Sequence, residues 1–366
     1  MKVPFIDLGR QHRPIKKELM QAFERVLDSN KFILSDEVKK FEDEIAGYVG
    51  TKYAIGVSNC TNALLLSLRA LGVATGDEVI TTPFTFVATA EVIAIIGAKP
   101  VFCDIDPETY NIDPGKINTC LSARTRAIMP VHLYGQSADM EKIMKIAQEH
   151  QLKVIEDMAQ SLGAKYKGKM TGTFGDTACI SYYVTKNLSA LGDAGMILTN
   201  EQELDNKIRA FRVHGASKKY HHDFLGHNDR LDAMQAAFLR IKLKYYDDWN
   251  GKRREIANKY DEGLKDVVVI PKINEDNEVI YHQYTIRTNR RDQLREFLKE
   301  KGVDTAIHYP TPLHLQPAFK YLGYKEGDFP EAEEASREVL SLPIQQDLTD
   351  DEVNYVIESI RTFFKK

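Results

Sequence analysis

The sequence predicts an α/β fold, with a large domain in which helices flank a mostly parallel sheet, followed by a smaller α+β domain. From Tyr53 onward, short apolar runs alternate with longer amphipathic segments, which is typical of the strand–helix–strand units that build parallel sheets. The chain has 366 residues, more than one small core requires. The pattern changes after Leu231, and we place the boundary near Trp249. We therefore expect a large domain over residues 1–249 and a small domain over residues 250–366.

The predicted strands of the large domain are short segments rich in β-branched and aromatic residues. They span residues 53–57, 78–81, 100–103, 126–131, 153–157 and 176–185. Amphipathic helices are predicted between them, over residues 62–71, 87–96 and 140–150. Binding residues in such folds gather at the carboxyl ends of the strands, so we expect a functional site in the loops that follow them.

The C-terminal part of the chain has a different pattern, in which helices predominate. Helices are predicted over residues 232–244, 248–264, 291–301 and 350–364, and strands over residues 267–271 and 281–287. Strands and helices that do not alternate regularly favour a small α+β domain.

Composition excludes several classes of protein. The 49 basic and 53 acidic residues give a formal net charge of −4 without a basic block, which argues against a nucleic-acid-binding protein. No uncharged run approaches the ~20 residues of a spanning helix, so we expect a soluble cytoplasmic protein without a membrane partner. The four cysteines show no Cys-x-x-Cys spacing, which predicts reduced thiols and no metal site.

Lys186 follows the last predicted strand of the large domain and precedes the turn-forming segment 187–195. A lysine in this position is either an ordinary solvated residue or an amine that points into a pocket at the end of the sheet. The neighbouring strand ends distinguish these two possibilities.

The segment Ser58-Asn59-Cys60-Thr61 joins a predicted strand to a predicted helix. Several unpaired backbone N–H groups and the positive end of the helix dipole therefore face one spot, which favours an anion site. An ordinary helix N-cap would require the same residue types, so this segment alone does not decide between the two.

Asp157 ends another predicted strand, and Gln160 lies three residues further on. The carboxylate either caps the next helix or serves a ligand. A lysine amine, a fixed carboxylate and an anion site are together what pyridoxal 5′-phosphate requires. Phe86 could supply an aromatic wall for its ring, although a core phenylalanine would look similar.

Eight stretches in order along the chain support this interpretation. They are FILSDEVKKFE from residue 32, GDEVIT from 76, FTFVATA from 84, DIDPETYN from 104, VHLYGQ from 131, IEDMAQS from 155, TKNL from 185 and HYPTPLH from 308. Over nearly its whole length the chain resembles the DegT/DnrJ/EryC1/StrS family of sugar aminotransferases, which are fold-type I pyridoxal-phosphate enzymes. It departs from the family pattern at Cys60 and Ala194, where glycines are usual.

The resemblance implies a role for each cofactor-binding residue. Lys186 would form the Schiff base, Asp157 would pair with the pyridine nitrogen, Gln160 would bond the ring hydroxyl, and Phe86 would stack on the ring. The phosphate would be held by Cys60, Thr61, Ser181 and, from a second subunit, Asn228. This last assignment implies a homodimer with shared active sites.

The resemblance also implies the reaction, which is transfer of an amino group from L-glutamate to a nucleotide-linked keto-sugar by way of the pyridoxamine 5′-phosphate form, with 2-oxoglutarate as the second product. Amino sugars of this kind serve surface polysaccharides or secondary metabolites. The expected substrate-binding residues are Tyr220, His221, His222, His308, Tyr309 and His314, each of which could also be an ordinary surface residue. The segment 220–232 resembles enzymes that aminate carbon 3.

Two other functions remain open at this point. In the family's sugar dehydratases a histidine replaces the lysine, so Lys186 argues against that class. A non-catalytic regulatory protein that senses a cofactor or a sugar would tolerate loss of Lys186 or Asp157, and both residues are present.

Overall fold

A computed structural model describes residues 1–365 of the chain. Its helices are α1 (Leu8–His12), α2 (Lys16–Ser29), α3 (Asp36–Val49), α4 (Cys60–Ala70), α5 (Ala88–Ile95), α6 (Pro114–Ile117), α7 (Met140–Glu149), α8 (Gln202–Phe211), α9 (Ala233–Leu243), α10 (Tyr246–Leu264), α11 (Arg291–Glu300), α12 (Pro330–Glu338) and α13 (Asp350–Lys365). Its strands are β1 (Tyr53–Val57), β2 (Glu78–Thr81), β3 (Lys99–Phe102), β4 (Thr125–Ile128), β5 (Lys153–Asp157), β6 (Lys165–Tyr166), β7 (Lys169–Met170), β8 (Thr177–Ser181), β9 (Gly195–Thr199), β10 (Ala216–Lys218), β11 (His221–His222), β12 (Asn277–Glu278), β13 (Tyr284–Arg287) and β14 (Val339–Leu342).

The largest sheet has seven strands in the order β1-β9-β8-β5-β4-β2-β3. Neighbouring strands pair in parallel from β3 to β8, whereas β9 pairs antiparallel with both β8 and β1. The strands are buried along almost their whole length, as expected of a sheet that helices cover on both faces. The predicted α/β class with a mostly parallel sheet is confirmed.

Two amphipathic helices near the N-terminus, α2 and α3, were not predicted. Their apolar faces pack with α9 into one core that includes Val26, Phe41 and Leu239. Full burial of a side chain such as Phe41 contributes about 1.5–3 kcal/mol to stability. α3 ends at Gly50, whose φ of 89° lies in the left-handed region that suits a glycine C-cap.

The C-terminal part has its own core, in which α10, α11 and α13 pack with the antiparallel pair β13 and β14. Residues 267–271, predicted as a strand, make only one isolated bridge, between Val269 and Arg287. The predicted boundary falls inside α10. Trp249, near the start of that helix, packs in the large core, and Ile256, about two turns later, packs in the C-terminal core.

The end of β8 sets the position of Lys186. The predicted strand continued to residue 185, but β8 ends at Ser181. A turn follows, in which the Tyr183 carbonyl accepts a hydrogen bond from the Lys186 N–H at 2.8 Å. This turn carries Lys186 over the carboxyl edge of the sheet. Within residues 1–365, no helix is both long enough and apolar enough to cross a membrane.

Candidate functional site

A cleft of about 480 Å³ opens at the carboxyl edge of the central sheet. Nine of the residues predicted for the site line it, namely Cys60, Thr61, Phe86, Asp157, Gln160, Ser181, Lys186, His308 and Tyr309. They come from the ends of three strands, from the loop before α5 and from the C-terminal part of the chain. The fold therefore brings together residues that are widely separated in the sequence.

The N-terminus of α4 forms one end of the cleft. The Asn59 side chain caps the helix by accepting a hydrogen bond from the Asn62 N–H at 2.8 Å. The N–H groups of Cys60 and Thr61 have no partner among the described residues. Two free amides at the positive end of a helix dipole fit a phosphate group.

Gly195 in β9 packs directly behind this helix terminus. A Cβ atom at Gly195 would lie 2.4 Å from the carbonyl carbon of Asn59. The Cys60 Sγ donates a hydrogen bond to the Cys179 carbonyl at 3.7 Å. Burial raises the pKa of Cys60, which keeps the thiol protonated. A cysteine is therefore accommodated where the family usually has a glycine.

Asp157 ends β5 with its carboxylate buried. Its Oδ2 accepts a hydrogen bond from the Thr89 hydroxyl at 2.8 Å, and its Oδ1 accepts one from the Ala159 N–H at 3.1 Å. Burial raises the pKa of Asp157 above its ordinary value, and these hydrogen bonds oppose the rise. A buried carboxylate without an ion-pair partner is costly. Its presence at the cleft therefore fits a ligand with a positively charged nitrogen.

Lys186 is half-buried in the cleft. Burial lowers the pKa of its amine, and the charge of Asp157 partly opposes this effect. A lowered pKa increases the fraction of neutral amine, which is the form that acts as a nucleophile or a base. The Nζ atom lies 3.5 Å from Nε2 of His282.

The side chains of Gln160 and Phe86 meet Tyr309 at the wall of the cleft. Oε1 of Gln160 accepts a hydrogen bond from the Tyr134 N–H at 2.7 Å, and its Nε2 donates to the Tyr309 hydroxyl at 3.2 Å. Phe86 packs against Tyr309 with 6.3 Å between ring centroids and remains 57% exposed. A large aromatic ring with an open face beside a cleft fits stacking with a planar ligand.

His308 reaches the cleft from the C-terminal part of the chain. Its Nδ1 lies 2.9 Å from the Ser341 hydroxyl. Burial and the nearby Lys186 lower the pKa of His308 to about 4. The ring is therefore neutral at pH 7 and can exchange hydrogen bonds with a polar, uncharged ligand.

His314 does not line the cleft, and its predicted contact with substrate requires correction. The segment 313–315 forms a 3₁₀ turn that folds back into the protein. His314 is 2% exposed, and its Nε2 lies 3.0 Å from Oε1 of Glu333. The sequence motif that contains both His308 and His314 therefore separates into one cleft residue and one buried residue.

The other predicted residues also lie outside the cleft of the single chain. Tyr220, His221 and His222 lie in or beside the exposed hairpin of β10 and β11. Asn228 is exposed and pairs with Val213 in an isolated bridge. A contribution from these residues therefore requires a second chain or a bound substrate.

The sequence analysis did not identify every residue that lines the cleft, and those it missed include Thr89, Tyr183, Asp193 and His282. Thr89 and Tyr183 lie in or next to stretches that were singled out, so their proximity was a usable signal. His282 lies at the start of a predicted strand nearly a hundred residues after Lys186. Its contact with Lys186 depends on how the C-terminal part folds over the sheet.

Comparison with known proteins gives consistent matches over the whole chain. A model of the DegT/DnrJ/EryC1/StrS aminotransferase family matches residues 13–361. A Pseudomonas aeruginosa UDP-2-acetamido-2-deoxy-3-oxo-D-glucuronate aminotransferase is 45% identical over 343 residues, which cover 93% of this chain and 95% of that protein. A Geobacillus stearothermophilus protein named pleiotropic regulatory protein is 51% identical over 369 residues, which cover 100% of this chain and 99% of that protein.

Solved structures with the same fold include aminotransferases with ligands in place. The crystal structure of S. venezuelae DesV in complex with a ketimine intermediate has a TM-score of 0.98 and 40% identity, covering 100% of this chain and 99% of that chain. The crystal structure of NtdA from Bacillus subtilis with bound cofactor PMP has a TM-score of 0.93 and 31% identity, covering 100% of this chain and 86% of that chain.

Proposed function

We propose that this chain, which belongs to the DegT/DnrJ/EryC1/StrS aminotransferase family, is a pyridoxal-phosphate-dependent nucleotide-sugar aminotransferase. The family match confirms the resemblance inferred from the sequence. The proposal rests on one observation. Lys186, Asp157 and the free amides of Cys60 and Thr61 all lie around the same cleft.

The residues present fit pyridoxal phosphate. The α4 amides and Ser181 would hold the phosphate, Asp157 the ring nitrogen, Gln160 the ring hydroxyl and Phe86 the ring face. When bound, the cofactor supplies a carbonyl that takes up the amino group and a ring that accepts electrons. Asp157 fits this role because its buried charge would gain a positive partner.

Lys186 provides the acid–base group of the reaction. A neutral amine takes up a proton from the substrate carbon, and the resulting ammonium returns a proton at the next step. Burial favours the neutral form, because it lowers the pKa of the amine towards the working pH. Phe86 and Tyr309 line the cleft beside this amine.

We propose L-glutamate as the donor, with 2-oxoglutarate as its product, and carbon 3 of a nucleotide-linked keto-sugar as the acceptor. Carbon 3 is supported by the relative from Pseudomonas aeruginosa, which is named for a 3-oxo sugar. It also agrees with the resemblance of segment 220–232 to carbon-3 enzymes. Neutral His308 is placed to bond sugar hydroxyls without attracting an anion.

We also propose a homodimer in which Asn228 completes the phosphate site of the partner. Asn228 is exposed and lies outside the cleft of its own chain. Beside it, His227 lines a shallow groove with Ile95, which is 62% exposed. Exposed apolar surface of this kind fits a subunit interface.

A regulatory function remains a second candidate, because the relative that is 51% identical bears a regulatory name. The two functions can be distinguished by the first half of the transamination, in which L-glutamate gives up its amino group. Protein loaded with pyridoxal phosphate should convert L-glutamate to 2-oxoglutarate, about one equivalent per chain, while its visible absorbance shifts. A regulatory protein that only binds the cofactor would leave glutamate unchanged, and that result would contradict the proposed function.

A further inference from the structure

His282 lies between Lys186 and a group of buried amide side chains. Its Nε2 is 3.5 Å from Nζ of Lys186, and its Nδ1 is 3.1 Å from Oδ1 of Asn187. His282, Asn187 and Asn250 are 6%, 3% and 2% exposed. The ring is therefore held away from solvent, with one nitrogen towards the protein interior and the other towards the lysine amine.

The bonds of Asn187 determine which nitrogen of His282 carries the proton. The Asn187 amide donates to Oδ1 of Asn250 at 3.0 Å and to the Ile280 carbonyl at 3.2 Å. Both of its N–H groups are thus used, and only its Oδ1 faces His282. Because this oxygen can only accept, Nδ1 of His282 must donate. Nε2 is then left with a lone pair.

The lone pair of Nε2 faces donors only. Nζ of Lys186 and Nε2 of Gln283 both lie 3.5 Å away. Protonation of the ring is opposed, since burial and the neighbouring Lys186 lower the pKa of His282 well below its ordinary value. A neutral imidazole with a fixed tautomer is an acceptor for the lysine amine.

We infer that His282 is a positioning residue for Lys186, which accepts a hydrogen bond from the free amine at Nε2 and holds it facing the cleft. The inference rests on the proposed function of Lys186. Asn187 and Asn250 fix the orientation of the ring. A chain of hydrogen bonds therefore connects Asn250 in α10 to the amine of Lys186, which follows β8. Without these bonds, the long lysine side chain would sample several rotamers, most of which do not point at the cofactor carbonyl.

Two substitutions test the roles of the two ring nitrogens of His282 separately. In His282→Asn, the shorter amide can keep the bond to Asn187 but has no atom at the position of Nε2. In His282→Gln, the longer amide can place its oxygen near Lys186. Neither variant leaves an apolar group against the buried Asn187. We therefore expect both to fold, and circular dichroism and thermal unfolding would verify this.

The test compares two properties of the cofactor-free protein. The first is the rate at which Lys186 captures pyridoxal phosphate, followed by absorbance. The second is the affinity for pyridoxamine phosphate, which cannot react with the lysine. In His282→Asn we expect capture to slow about tenfold, the effect of one lost hydrogen bond of ~1.4 kcal/mol, while pyridoxamine phosphate affinity changes less than about twofold. In His282→Gln we expect most of the capture rate to return.

The outcomes separate this inference from the proposed function. Capture that is unchanged in His282→Asn would overturn the positioning role, as would an equal loss of capture and of pyridoxamine phosphate affinity, which indicates a structural role. Lys186→Ala is the control, since it should bind pyridoxamine phosphate without capturing the aldehyde. If the unaltered protein captures no pyridoxal phosphate, the proposed function fails together with this inference.

Discussion

Burial shifts the pKa values of the reactive groups in the cleft in opposite directions. It lowers the pKa of Lys186 and His308, and it raises the pKa of Asp157. The same low-dielectric environment therefore favours the neutral form of the amine, keeps the imidazole neutral at pH 7 and leaves a carboxylate that needs a positive partner. Each of these states suits the proposed transamination.

The bond from Thr89 to Asp157 should matter for the cofactor more than for the fold. Thr89→Val keeps the shape of the side chain but removes the 2.8 Å hydrogen bond to Oδ2. The pKa of Asp157 should rise further, which weakens its pairing with a ring nitrogen. We expect pyridoxal phosphate affinity to fall about tenfold, for a bond to a charged group worth ~1.5 kcal/mol.

Equilibrium dialysis or fluorescence titration would measure this affinity. Thr119→Val is a matched control, because the Thr119 hydroxyl donates to the Lys116 carbonyl at an exposed turn. Equal affinities of Thr89→Val and the unaltered protein would contradict the role of Thr89.

His308 should make stability depend on pH. The ordinary pKa of a histidine is 6.5, and the pKa of His308 in the folded chain is about 4. Between these values the unfolded state binds more protons, so the free energy of unfolding falls as the pH drops through this window. At ~1.4 kcal/mol per pKa unit, the loss amounts to about 2–3 kcal/mol by pH 4.5.

Urea unfolding at pH 7 and pH 4.5 would measure this loss. His308→Gln should lose less stability between the two pH values than the unaltered protein does. His222→Gln, a change on the exposed hairpin, is the control and should behave as the unaltered protein. Identical pH dependence in His308→Gln and the unaltered chain would show that His308 is not the cause.

The cleft residues that could be predicted are those next to a predicted strand end. Lys186 and Asp157 belong to this group, because alternating patterns locate the strands and parallel strands align their ends. His282 could not be predicted in this way, since its contact with Lys186 joins distant parts of the chain. His314 was misplaced because a 3₁₀ turn, which leaves little trace in the sequence, directs it into the interior.

Among the strands of the central sheet, β9 has the position on which the geometry of the anion site depends. It inserts antiparallel between β1 and β8 and brings Gly195 against Asn59. The absence of a side chain at Gly195 allows the N-terminus of α4 to sit directly on the sheet edge. The geometry of the anion site therefore depends on one close approach of two backbones.

Gly195→Ala should disturb this approach. The new Cβ would lie 2.4 Å from the Asn59 carbonyl carbon, so α4 or β9 must shift. Overpacking of this kind costs about 1–3 kcal/mol, and we expect a lower Tm together with weaker binding of pyridoxal phosphate.

Gly47→Ala is the matched control for this change. Gly47 lies in α3 with no atom within 4 Å of the added Cβ. Alanine in a helix should raise stability by roughly 0.5–1 kcal/mol, without an effect on cofactor affinity. Unchanged cofactor affinity in Gly195→Ala would refute the link between this glycine and the anion site.

Elements with regular apolar periodicity between Tyr53 and Leu264 were mostly predicted to within a few residues. The elements that were missed include α2, α3, α8, α12, β9 and β14. α2 and α3 precede the first predicted strand, and they owe their stability to packing on α9. β9 follows the glycine-containing loop after Lys186, where turn residues obscure the start of a five-residue strand.

At the scale of the whole molecule, the cleft depends on two parts of the chain and, as we propose, on a second chain. His282, His308 and Tyr309 complete the wall from the C-terminal part. Asn228 is exposed and lies outside the cleft of its own chain. Neither the sequence pattern nor the single chain determines how two subunits are arranged, because interface contacts leave no local periodicity.

Mixing two inactive variants would test the shared site. Lys186→Ala removes the reactive amine, and Asn228→Ala removes the phosphate contact proposed to cross the interface. In a hybrid dimer both defects fall in one site, and the other site is intact. We expect up to about a quarter of the normal activity after random exchange, since half of the dimers are hybrids with one of two sites restored. Full activity of Asn228→Ala alone, or no recovery on mixing, would contradict the arrangement.

We propose that the chain transfers the amino group of L-glutamate to carbon 3 of a nucleotide-linked keto-sugar. The most direct measurement is NMR of the products formed from ¹⁵N-labelled L-glutamate and paired 3-keto and 4-keto nucleotide sugars. We predict ¹⁵N bonded to carbon 3, with 2-oxoglutarate formed in equal amount and no product with Lys186→Ala. Label at carbon 4 would contradict the assigned position, and transfer of label to neither sugar, with glutamate unconsumed, would contradict the aminotransferase function itself.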